Sequence, residues 1–138
     1  MSESPIDLLL EALDRLDAAA ALALMAPDCR LLTVDGRRAE GSEAVRALFE
    51  DFLGTLRSMT HRVTAQWHEE NVWIAEVEAD YELMDWLRIT SLQRAFVVRV
   101  GAAGVTDMRV YGAHERRFAD HVSGDQGIRI GGRWMPPL

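Results

Sequence analysis

From Pro5 the chain sets Ile6, Leu9, Leu10, Leu13 and Leu16 at three- and four-residue spacing, an apolar stripe that predicts a helix. Pro5 suits its first position. Asp17 is placed to cap a second short helix reaching about Met25, which Pro27 and Asp28 break. Residues 29–34 read as a strand, Asp35-Gly36 as a turn and 37–40 as a short return. Gly41-Ser42 opens a third helix with Ser42 as N-cap and Glu43 in the first turn. Its stripe is Val45, Leu48, Phe49, Phe52, Leu53 and Leu56.

Beyond this the period changes from helical to two. Residues 60–68 and 72–83 flank a hairpin loop at Glu69, Glu70 and Asn71. The second strand alternates Trp73, Ala75, Val77, Ala79 and Tyr81 against Glu76, Glu78, Asp80 and Glu82, so one sheet face meets water. Met84, Asp85 and Trp86 form a turn. Residues 87–100 are a long strand, 101–104 a glycine turn and 105–111 the last main strand. A short helix is expected over 116–122 and a small hairpin over 128–135, within a tail of about 122–138 that carries Gly131-Gly132 and Trp134. Helices followed by a meander of strands are α+β, with the helices on one sheet face.

At 138 residues the chain is expected to be a single domain. A net charge of −7 disfavours nucleic acid as a partner. The N-terminal run is too short and interrupted for a signal or a membrane span, so no membrane and a cytoplasmic location are expected. Cys29 is the lone cysteine, which excludes an internal disulfide.

Three stretches then carry a resemblance: LDAAAALALMAPDCRLLTVDGRRAEGSEAVRALFEDF, THRVTAQWHEENVWIAEVEADYELMDWLRI and VTDMRVYGAHE. In order and spacing, over residues 6–118, they resemble the SnoaL-like branch of the NTF2-like superfamily. The resemblance implies a cone in which helices fill the concave face of a long bent antiparallel sheet around a small-molecule pocket. It also implies a homodimer paired through the sheet. Thr33 stands at the position that resembles the ketosteroid isomerase base, and the first helix has no tyrosine for the oxyanion hole. Arg109 and Tyr111 match the Arg-x-Tyr segment of limonene epoxide hydrolase-like proteins, but Ala113 takes the acidic position. The Arg-x-Asp pair of those proteins falls near Glu78 and Asp80, without its arginine.

Strand phases select the candidate chemistry. His61, Val63, Ala65 and Trp67 are expected to share the inner face with Trp73, Val77, Ala79 and Tyr81. Arg94 joins Leu92 and Phe96, and Asp107, Arg109 and Tyr111 share one phase of the last strand. On this reading His61 or Asp107 moves the proton and Arg109 stabilises developing negative charge. Tyr81 and Tyr111 donate hydrogen bonds, and Arg94, Trp67 and Trp73 line the pocket. The plainer readings stay open: core rings for the tyrosines, a rim ion pair for Asp107 and Arg109, and a solvated loop position for His114. His61 and His68, seven apart, are expected on opposite faces, and no metal ligand set is expected. Without a P-loop, dinucleotide glycine pattern or nucleophile elbow, no cofactor is expected. The function expected is an isomerase, cyclase or hydrolase acting by acid–base catalysis on an apolar or polycyclic molecule. A non-catalytic binder of such a molecule and an assembly domain are the alternatives.

Overall fold

The computed structural model describes residues 4–112, 129–130 and 133–134. Ser4 caps α1 (Pro5–Asp14): its Oγ accepts from the N–H of Asp7 at 3.0 Å. The helix stops before the end of its apolar stripe. Leu16 turns left-handed (φ 55), its N–H bonds Leu13 O, and the N–H of Asp17 reaches back to Ala12 O. This is a Schellman closure with leucine where glycine is usual. Asp17 then caps α2 (Ala18–Ala23) by accepting from the Ala20 N–H.

β1 (Met25–Leu32) starts earlier than the sequence suggested and runs through Pro27. Met25 pairs with Val105 and Arg30 with Asp107, so several β1 residues between them bulge from the ladder. Proline, lacking an N–H, is tolerated in such an unpaired stretch. β2 (Arg38–Glu40) follows. The cap of α3 (Ser42–Leu53) is Gly41 at φ 87, not Ser42. Ser42 is already helical, and its hydroxyl donates to Pro27 O instead.

Four long strands complete the sheet: β3 (Leu56–Glu69), β4 (Val72–Leu83), β5 (Arg88–Gly101) and β6 (Gly104–Tyr111). Leu56 opens β3 rather than extending the α3 stripe. The order is β2-β1-β6-β5-β4-β3. β1 and β6 run parallel, so the sheet is mixed rather than wholly antiparallel. Close approach brings them together: Gly104 starts β6 directly against Leu24 O and the Met25 backbone, and the Val105 N–H bonds Leu24 O. In the tail, β7 (Arg129–Ile130) and β8 (Arg133–Trp134) form the expected small hairpin. The expected helix over 116–122, and Ala113 and His114, lie outside the described residues.

Ile6, Leu9, Leu10 and Leu13 of α1 and Val45, Phe49 and Leu53 of α3 join Ala75, Val77, Ala79, Phe96, Val98 and Met108 of the sheet in one core. Each large side chain buried there is worth about 1.5–3 kcal/mol. The acidic phase of β4 faces outward as expected, with Arg62 bridging Glu78 at 2.9 Å and Asp80 at 3.0 Å. Among the described residues no helix is long and apolar enough to cross a membrane.

Candidate functional site

Two bulges decide which side chains enter the concave face. Val63 stands opposite Val77, but Ala65 stands opposite Glu76, which leaves Thr64 as an extra residue in β3. Its Oγ1 donates to Glu76 O at 3.1 Å. One extra residue inverts the alternation beyond it. His61 and Val63 face inward with Ala79 and Val77. Past the bulge the inward residues are Gln66, opposite Ala75, and His68, opposite Trp73. Ala65 and Trp67 therefore leave the phase of His61, and Trp67 lies on the outer face, 53% exposed. For the same reason His68 shares a face with His61, contrary to the expectation from their spacing. Trp73 is inward and half-buried, stacked on the His68 ring at 3.6 Å.

The second bulge is in β5. Ala79 pairs with Leu92 but Tyr81 with Ile89. Ser91 takes φ 59, and its N–H donates to Asp80 Oδ1 at 2.9 Å. Arg94 then faces inward with Leu92 and Phe96, buried to 5% exposure, with Nη1 donating to Gln93 O.

Register corrects the phase expected for the last strand. Met108 and Val110 pair with the inward Val98 and Phe96, whereas Asp107, Arg109 and Tyr111 pair with Arg99, Val97 and Ala95 on the outer face. Met108 and Val110 thus take the inner face, and Asp107, Arg109 and Tyr111 the outer one. Asp107 is nonetheless buried, because Arg109 Nε donates to its Oδ1 at 2.9 Å and Arg30 lies 3.9 Å from Oδ2. The bond to Asp107, and then one to Tyr111, hold the Arg109 guanidinium more firmly protonated. Arg30, Arg38, Glu40, Asp107 and Arg109 line an open groove of about 310 Å³. A second groove, of about 510 Å³, lies at the β3–β4 hairpin tip beside Trp67 and Ile74. Register therefore sets Asp107, Arg109 and Tyr111 on the sheet face opposite His61 and Tyr81, and the expected convergence of the five does not form.

What meets His61 instead is Asp14, at the end of α1. Asp14 Oδ1 lies 2.6 Å from His61 Nδ1, and Oδ2 accepts from the His61 backbone N–H at 3.2 Å. The His61 side chain is 2% exposed and that of Asp14 30%. A carboxylate can only accept, so this contact calls for a proton on Nδ1 and leaves Nε2 as the other ring nitrogen. Tyr81 and Phe96 stand edge-on to the imidazole, with ring centroids 6.3 and 5.9 Å away, and Phe52 stands edge-on to Tyr81. Val63, beside His61 on the inner face, is 38% exposed. A signal for Asp14 does exist: an acid in the last turn of a helix opposes the macrodipole, and α1 carries no basic residue there.

The sequence profile of the SnoaL-like domain matches residues 6–122. Among curated proteins none matches this chain. Similar solved structures include a protein from Catenulispora acidiphila with a ketosteroid isomerase-like fold, in complex with trimethylamine. It is 12% identical with TM-score 0.72, over 80% of this chain and 86% of that one. An LEH-like epoxide hydrolase of M. tuberculosis is 18% identical with TM-score 0.67, over 78% and 79%. TerC, co-crystallised with polyporic acid, is 13% identical with TM-score 0.69, over 86% and 93%. At these identities the likeness establishes the fold.

Proposed function

Since this chain belongs to the SnoaL-like domain family, we propose that it is a general acid–base catalyst acting on an apolar small molecule, as an isomerase, cyclase or hydrolase. The observation that carries this reading is the Asp14–His61 couple at 2.6 Å on the concave face. Nε2 of His61 takes the proton from the substrate. Asp14 holds the ring and stabilises the imidazolium that results, the division of labour known from carboxylate–histidine pairs. Tyr81 and Phe96 give the reacting group an apolar surround, in which a fixed charge acts more strongly than in water. Similar folds holding polyporic acid and trimethylamine, and one that is an epoxide hydrolase, support the small-molecule class.

A panel of apolar enolisable ketones incubated in D2O tests the reading. The wild-type chain is expected to incorporate deuterium at the α-carbon of at least one member. His61→Gln is expected to abolish this and Asp14→Asn to slow it by about 10²-fold or more. Exchange that persists in His61→Gln removes the assignment.

We also propose a homodimer through the outer sheet face. Trp67, Ile74 and Val97 follow one another across β3, β4 and β5 there, with Trp67 and Ile74 exposed. Sedimentation of wild type and Trp67→Glu checks it, the variant being expected as monomer.

A further inference from the structure

The Thr64 bulge does more than expel Trp67. It turns Gln66 onto the concave face, opposite Ala75, which pairs in turn with Phe96. Phe96 is the same ring that stands edge-on to His61. Gln66 Oε1 is buried and accepts no hydrogen bond from the described residues. A buried acceptor with no donor is costly, and native structures retain few of them. Across the sheet its inner-face neighbours are Ala75, Phe96 and Val110, with His68 farther along its own strand and Arg94 beside Phe96 on β5. Bulges often serve to re-aim one side chain beside a site.

We propose that Gln66 is a specificity-determining residue that hydrogen-bonds a hydroxyl group of the ligand, on the far side of Phe96 from His61. This rests on the concave face being the ligand site and names a property of the ligand: an apolar body carrying a hydroxyl remote from the reacting carbon. A hydroxyl both donates and accepts, so it satisfies either end of the amide. An apolar molecule without it leaves the amide unpaired and binds more weakly.

The test compares 2-naphthol with 2-methylnaphthalene, which differ by hydroxyl against methyl, titrated into the full chain and followed by amide chemical shifts. Wild type is expected to bind 2-naphthol about tenfold more tightly. Gln66→Leu is expected to lose that preference, keep its affinity for 2-methylnaphthalene, and melt no lower than wild type. Gln66→Met, closer in length, is expected to behave alike. Equal affinities in wild type, binding of neither probe, or a preference that survives both substitutions would overturn the proposal. So would a markedly lower melting temperature in both variants, since the amide would then hold the fold rather than a ligand. Deuterium exchange reports on His61 separately: a hydroxyl preference without exchange leaves Gln66 assigned and the acid–base reading refuted.

Discussion

Asp14 closes α1 and also holds His61, 47 residues away, by both its backbone N–H and its ring. A carboxylate at a helix C-terminus faces the negative end of the dipole, and the two donors of His61 offset that cost. The left-handed Leu16 closes the helix just beyond Asp14. Asp14→Ala should destabilise the fold by about 1–3 kcal/mol, because it strips the buried His61 of its acceptor. Asp14→Asn, which keeps one acceptor, should cost less. Equilibrium urea unfolding measures both, and an Asp14→Ala variant as stable as wild type would show that the couple carries no weight in the fold.

Ser91 makes the β5 bulge possible at φ 59, a region that glycine enters freely and β-branched residues avoid. Ser91→Gly should be neutral within about 0.5 kcal/mol, and Ser91→Val should cost about 1–3 kcal/mol. The contrast separates backbone strain from lost side-chain contacts, since Ser91 is exposed.

Gly36 and Gly104 both have positive φ, at 89 and 126. A Cβ on Gly36 meets nothing within 4 Å, whereas one on Gly104 would stand 2.8 Å from Leu24 O. Gly36→Ala should therefore cost about 1 kcal/mol from conformation alone. Gly104→Ala should cost clearly more, since β6 would have to retreat from β1. Thermal unfolding of the two variants side by side gives the difference, and equal losses would contradict the close approach.

Arg62 sets an acid limb of stability on the outer face. Its hydrogen bonds hold Glu78 below the usual 4.5, with help from Gln93, and Asp80 below the usual 3.8, with help from the Ser91 N–H. Folded values that are depressed mean that this contribution is complete above the unfolded values. It is lost as pH falls through the folded ones, that is, below about pH 4. Arg62→Met should move both carboxyls upward and shrink the stability lost on acidification. Carboxyl 13C titration follows each group directly, and unchanged titrations would remove Arg62 as the cause.

Much of this fold is legible in the chain because period and charge agree. The strand Val72–Leu83 is bounded as its alternation predicts, since one face is acidic and the other apolar. The stripes of α1 and α3, the Asp17 cap and the Gly101–Gly104 turn follow from equally local rules. The candidate site is less legible. The extra residue Thr64 leaves no mark in composition, yet it exchanges Trp67 for Gln66 on the inner face. In β6 both phases mix sizes and polarities, so only pairing with Val98 and Phe96 shows that Met108 and Val110 take the inside. Asp14 finds His61 through tertiary packing, which no spacing rule reaches.

In the proposed function Asp14 holds His61 with its proton on Nδ1 and leaves Nε2 to act. Long-range 1H–15N correlation of the imidazole, recorded on the neutral ring, reads the tautomer directly. The Nδ1–H form is expected in wild type and is expected to be lost in Asp14→Ala. An Nε2–H ring, or a tautomer indifferent to the loss of Asp14, would contradict that expectation.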